Sequence, residues 1–253
     1  MSITLGAALL AAGCASNDTQ PPVDARTVSP NDAAEINVQL GLAYLQQGNI
    51  DVARDKLERA LKQNPKAPGV HTAVALLYDR MGEDRKAEQQ YDMALRMSPR
   101  DPNVQNYYGV FLCKKGRYND GEKMLLRAAS SPLYQTPEVA LSNIGVCMRN
   151  AGRLADAETY FRRATDQKPQ FAEGWLQLAE VKYLRKDYPA ARECLQRHLN
   201  LAHESATALW LGLRIERAAG NSAQADAYGR RLKAEFPNAD ETRLLLEQER
   251  KQG

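Results

Sequence analysis

The chain repeats itself about every 34 residues, and that recurrence limits its possible folds more than any other feature. Take Ala34 as position one of the stretch Ala34–Ala67, which carries two amphipathic helical patterns broken at Gln47-Gly48-Asn49. Position eight then reads Gly41, Ala75, Gly109, Gly145 and Ala179, and position twenty reads Ala53, Ala87, Gly121, Ala157 and Ala191. Position twenty-four is always large: Leu57, Tyr91, Leu125, Phe161 and Leu195. Position twenty-seven is Ala60, Ala94, Ala128 and Ala164, with His198 a misfit in the fifth unit. Each small residue has a packing reason. Gly41 lets the second helix cross close to the first, and Ala53 and Ala60 present flat faces to it. Gly48, Gly82, Gly116 and Gly152 end the first helices, where a positive φ is needed. Pro65 cannot continue the second.

This is the tetratricopeptide pattern. It predicts an all-α tetratricopeptide-repeat solenoid of about six helix pairs: 34–67, 68–101, 102–135, 138–171, 172–205 and a degenerate 206–239. A last charged helix over 240–253 reads as a cap, because terminal units shield the apolar end of such a stack. Between the third and fourth units the stretch SSPLYQTP, Ser130 to Pro137, lengthens the spacing by two residues. The fifth unit keeps Trp175, Leu178 and Ala179 but lacks the helix-ending Gly. Each unit buries its apolar face on its neighbours, so an elongated body without one central core is expected. The 43% hydrophobic content suits a folded chain, and a net charge of +3 gives no reason to invoke nucleic acid.

The N-terminus differs. Residues 3–12 form an apolar run ending at Gly13-Cys14. Ten helical residues span about 15 Å, half of a bilayer's hydrocarbon, so the run has the length of a signal-peptide core and not of a membrane span. Leu10-Ala11-Ala12-Gly13-Cys14 resembles the lipobox of bacterial lipoproteins, although Ala11 stands where Leu is commoner and no Lys or Arg precedes Ile3. A basic stretch is therefore expected upstream of Met1. The resemblance implies that 1–13 is removed as a signal peptide and that Cys14 becomes the acylated first residue. Several acyl chains hold a protein on a bilayer, each buried methylene adding roughly 0.8 kcal/mol. No Asp follows Cys14, which points to the outer membrane, periplasmic face. Residues 14–33 read as a tether, with a coil-like reach on the order of 20–25 Å, and Asp32 with Glu35 as a capping box opening the first helix.

No catalytic signature is present. His71, His198 and His203 stand apart in separate units, His203-Glu204 lacks a second His ligand, and no phosphate loop, dinucleotide fingerprint or C-x-x-C occurs. No cofactor, metal or small-molecule substrate is expected. Cys113 and Cys147 lie one unit apart, at positions twelve and ten of first helices that should pack side by side. In an oxidising periplasm, pairing would close a loop of about 34 residues, worth roughly 3–4 kcal/mol of chain entropy. The alternative is two buried thiols acting as small apolar groups, since neighbouring helices often stand too far apart to be bridged. Pairing is the expectation, with Cys194 a buried thiol.

The inner lining of such an array comes from first-helix positions two, five, nine and twelve. Val38, Leu42, Leu45, Thr72, Leu76, Asn106 and Val110 should form an apolar strip with polar borders across the first three units, unless neighbouring helices cover it. Such a groove fits an amphipathic or extended apolar segment of another protein.

A lipobox, a short tether and six such units together resemble the PilF/PilW pilotins, lipoproteins of type IV pilus biogenesis. The more specific residues run Asn106-Tyr107-Tyr108-Gly109-Val110-Phe111-Leu112-Cys113, the Pro132-Leu133-Tyr134 break with Pro137, and Asn143-Ile144-Gly145-Val146-Cys147. Tyr188-Pro189-Ala190-Ala191-Arg192, Leu211-Gly212-Leu213-Arg214-Ile215 and Phe236-Pro237 extend the likeness. The resemblance implies a non-enzymatic factor that binds the type IV pilus secretin, brings it to the outer membrane and supports its multimerisation. The alternative is a periplasmic tetratricopeptide lipoprotein that serves as an adaptor for cell-wall enzymes or outer-membrane protein assembly.

Overall fold

A computed structural model describes residues 29–252; the lipobox, Cys14 and most of the tether lie outside the described residues. Among the described residues there are thirteen helices and no strand. They are α1 (Pro30–Gln46), α2 (Ile50–Gln63), α3 (Pro68–Arg80), α4 (Asp84–Met97), α5 (Pro102–Lys114), α6 (Tyr118–Ala129) and α7 (Pro137–Asn150). The rest are α8 (Leu154–Gln167), α9 (Ala172–Leu184), α10 (Tyr188–Leu201), α11 (Ala206–Ala218), α12 (Ser222–Glu235) and α13 (Asp240–Gln252).

Consecutive helices pair as antiparallel hairpins. The small columns set how closely. A Cβ on Gly41 would lie 2.6 Å from Leu57 Cγ, so the absent side chain is the seat of the partner helix's large residue. Ala53, Leu57 and Ala60 are wholly buried, as are Ala87, Tyr91 and Ala94 one unit on. The first helices also approach one another in turn, α1 on α3, α3 on α5, α5 on α7 and onward, whereas the backbones of successive second helices stay apart, with Tyr160 of α8 reaching Glu122 of α6 only through its hydroxyl, at 2.8 Å. A stack whose first helices touch while its second helices splay is curved, with the first helices inside.

A second column ties each unit to the next. Position twenty-one is Glu88, Glu122 and Glu158 in units two to four, and each takes a cation from the following unit: Arg117, Arg153 (3.2 Å) and Lys182 (2.9 Å) with Arg185. In unit five the polarity reverses. Arg192 reaches forward to Glu216 on α11 with two contacts, 2.5 and 2.7 Å, and Asn221 supplies a third at 2.7 Å. The Arg192 guanidinium holds the Glu216 carboxyl below its ordinary range against the opposing effect of burial. A depressed carboxylate pKa contributes stability above the unfolded value and loses it as pH falls through the folded one. We expect the α9–α12 region to loosen in acid below about pH 4.3, the ordinary Glu value, and Glu216→Gln to flatten that part of the pH profile, read by hydrogen exchange.

Three features differ from the sequence reading. Ser29 and not Asp32 caps α1: its side chain accepts from Asp32 N at 3.1 Å, so the helix starts at Pro30 and Asp32 sits inside the first turn. In the sixth unit Gly212 faces Tyr228, sixteen residues on, as Gly41 faces Leu57, so its first position is Ser205 and not Ala206. In the fifth unit Lys186 takes the missing glycine's place at φ 65°, where Gly48, Gly82, Gly116 and Gly152 have φ of 74–77°. A side chain in that conformation costs about 1–2 kcal/mol. Lys186→Gly is therefore expected to raise the melting temperature by about 2–4 °C, and a lowered one would contradict this. The misfit His198 is buried, its Nδ1 lying 2.9 Å from the Ala172 carbonyl at the start of α9.

Candidate functional site

Helices α1, α3 and α5 bring an apolar strip to the inner face. Leu42 and Leu76 are half-buried, and Val110 and Tyr107 are 40% and 41% exposed. Leu42, Leu45, Leu76 and Tyr107 line a recess of about 490 Å³ bordered by Asp79, Arg80 and Lys114. Lys114 also borders a second recess of about 590 Å³, lined by Val110, Val146, Tyr118 and the Asn143 and Asn150 amides, so the two adjoin along α1, α3, α5 and α7. Both Asp79 oxygens lie 3.0 Å from Lys114 Nζ, which fixes the rim between them. Toward α9 and α11 the face turns polar: Arg149 meets Glu180 at 2.8 Å, and Arg214 lies over the Tyr183 ring at 4.5 Å. A third recess of about 440 Å³, lined by Asp32, Glu35, Val38 and Val70, opens between the starts of α1 and α3.

Thr72 and Asn106 are not on the open surface. Thr72 is buried, its hydroxyl donating to the Pro68 carbonyl at 3.0 Å in its own helix. Asn106 is buried too, and its Oδ1 accepts from Asn143 Nδ2 at 3.0 Å. Leu45 is only 5% exposed and forms the floor of its recess. In units two and three position five therefore packs between first helices, position twelve (Leu45) forms the floor and position nine carries the open surface. Tyr107, which the sequence reading passed over, joins that surface from position six. In the sequence it is an aromatic beside a column that faces inward.

The structure places Cys113 and Cys147 on adjacent first helices with Cα atoms 5.4 Å apart and sulfurs 1.95 Å apart, at the edge of the second recess. Such a Cα separation lies within the span a disulfide bridges. Gly121 makes room for it: a Cβ there would fall 2.3 Å from Cys113 Sγ and 2.8 Å from the Gly109 carbonyl oxygen. Cys194 is buried, and burial pushes its thiol up to about 11, so it is unreactive at neutral pH.

An open apolar groove with fixed polar rims can seat an amphipathic polypeptide, its apolar side chains replacing water over Leu42, Leu76, Tyr107 and Val110. Among the described residues no helix is long and apolar enough to cross a membrane.

Comparison with known proteins agrees with this architecture. Tetratricopeptide-repeat family profiles match residues 38–102 and 149–214. The type IV pilus assembly protein PilF of Pseudomonas aeruginosa is 28% identical over 230 residues, 90% of each chain. A solved structure of P. aeruginosa PilF superposes with a TM-score of 0.69, covering 87% of this chain and 99% of that one, at 28% identity. The crystal structure of PilW, described as a widely conserved type IV pilus biogenesis factor, superposes at 0.75 with 29% identity, covering 85% and 99%.

Proposed function

The chain is a tetratricopeptide-repeat relative of the type IV pilus biogenesis factors PilF and PilW, and from that premise we propose that it is an outer-membrane lipoprotein that captures the pilus secretin. Cys14 carries the acyl chains and supplies the address. The inner groove of α1, α3, α5 and α7 grips an apolar segment of the secretin subunit and holds it at the membrane while subunits multimerise.

The observation that supports this best is the open strip itself. A solenoid buries its apolar columns on neighbouring units, yet Leu42, Leu76, Tyr107 and Val110 remain reachable, on one side, in two adjoining recesses. Residues left over from packing would not line up across three units.

The Cys113–Cys147 pair enters the same reading as a bonded staple at the groove's edge, formed in the oxidising periplasm. Acylated, unfolded, unreduced protein would then offer one reactive thiol, that of Cys194; three would contradict the staple.

Deleting the gene tests the reading in cells. Heat-resistant secretin multimers on a gel should disappear and return with the wild-type gene, while normal multimers in the deletion strain would end the proposal. Palmitate labelling of wild type and Cys14→Ser separately tests the anchor.

A further inference from the structure

From the loop edge of the solenoid we infer a second surface, one that lies on the membrane itself; it rests on the Cys14 anchoring proposed above. Each unit sends its chain to the next across the same edge, where α1 begins and where α2–α3, α4–α5 and α6–α7 are joined. Asn31 at the start of α1 accepts from Asn64 of the α2–α3 loop at 3.0 Å, so the point at which the N-terminal segment enters belongs to this edge. Ser29 stands fifteen residues after Cys14. Even fully extended, at about 3.3–3.6 Å per residue, that stretch keeps the edge within about 50–55 Å of an acylated Cys14.

The edge has the chemistry of a bilayer contact. The two-residue lengthening between α6 and α7 carries Leu133, 78% exposed, more than any other large apolar side chain of the described residues. It shares an open recess of about 640 Å³ with Met97 at the end of α4, Pro99, Arg100 and Asp101 of the α4–α5 loop and Pro102 at the start of α5. Lys66 and Arg100, both exposed, occupy the same place in consecutive loops and make no ion pair among the described residues. The opposite edge, made of the turns within each hairpin, pairs its carboxylates with cations, Asp51 with Arg54, Asp84 with Lys115, Asp120 with Arg117 and Asp156 with Arg153, and among the described residues has no large apolar side chain as exposed as Leu133. The entry point of the tether and the exposed Leu133, and not a difference in charge, single out the first edge. A lone exposed Leu with two cations binds a free vesicle poorly, but an acyl tether converts its insertion into an intramolecular event at high effective concentration. With that edge down, the inner groove runs alongside the bilayer and stays open to a polypeptide from the periplasm.

The test uses the full acylated chain reconstituted in vesicles of phosphatidylethanolamine and phosphatidylglycerol, with an environment-sensitive fluorophore on Leu133→Cys or, on the opposite edge, on Asp84→Cys. Quenching by doxyl-labelled lipid and a blue shift are expected at the first position and neither at the second. Adding Leu133→Asp to a probe on Gln135→Cys should abolish that probe's quenching, which guards against insertion driven by the dye. Protein mass, measured first, reads the anchor: a chain without acyl groups would overturn the anchoring and this inference with it. An acylated chain whose two edges are equally unquenched would overturn this inference alone. So would quenching at Leu133→Cys that appears only when secretin is added, because the edge would then belong to a protein partner.

Discussion

Gly121→Ala is expected to destabilise the middle of the solenoid by about 3 kcal/mol, the upper range for overpacking a tight core. Unit three alone has glycine at both positions eight and twenty, Gly109 and Gly121; units one, two, four and five pair Gly or Ala with Ala. There the added methyl meets Cys113 Sγ at 2.3 Å and the Gly109 carbonyl oxygen at 2.8 Å, and the second obstacle is backbone that cannot rotate aside. Because a solenoid's stability is a sum of unit and neighbour contributions, the loss should be local. Hydrogen exchange should quicken in α5–α8 and change little in α1–α3. Combining Gly121→Ala with Cys113→Ala removes the sulfur but not the carbonyl, so it should recover only part of the loss relative to Cys113→Ala alone. A Gly121→Ala protein as stable as the wild type in urea would contradict this tight α5–α6 crossing.

Leu42→Glu has the second large effect, on binding instead of folding. Leu42 is half-buried in the recess that also holds Leu76 and Tyr107, with Asp79 on its rim. A carboxylate there replaces an apolar contact with a charge beside a like charge and must be desolvated when the groove fills. Losing such an anchor weakens a complex by about 3 kcal/mol, more than 100-fold in Kd. Helical content should be unchanged, since the side chain contributes little to the hairpin interior. Met93→Glu, on the exposed outer face of α4, is the matched control and should bind as the wild type. Equal affinity for Leu42→Glu and wild type would remove the groove from the account.

The fold was legible because its rule is local and repeated. Gly41, Ala53, Leu57 and Ala60 each have one packing role, and a role that recurs at the same interval is hard to mistake. What escaped the sequence depended on neighbours that periodicity does not name. Position five looked like lining from a helical wheel, but Thr72 found a carbonyl in its own helix and Asn106 found Asn143 across the interface, and both were drawn under. The Glu88, Glu122, Glu158 and Arg192 column reads as ordinary helix surface until the next unit's cations, or in the last case its Glu216, are placed opposite. Gly121 was visible as a departure from alanine. Its reason, a sulfur and a carbonyl on the facing helix, was not. Lys186 is a case of the opposite kind, in which the backbone conformation outlived the residue that favours it.

The most direct measurement is photo-crosslinking in living cells with a benzophenone residue replacing Leu76 or Val110 on the inner face, or Met93 on the outer one. The account predicts secretin adducts from Leu76 and Val110 and none from Met93. Adducts from Met93 alone, or secretin captured equally from both faces, would contradict it.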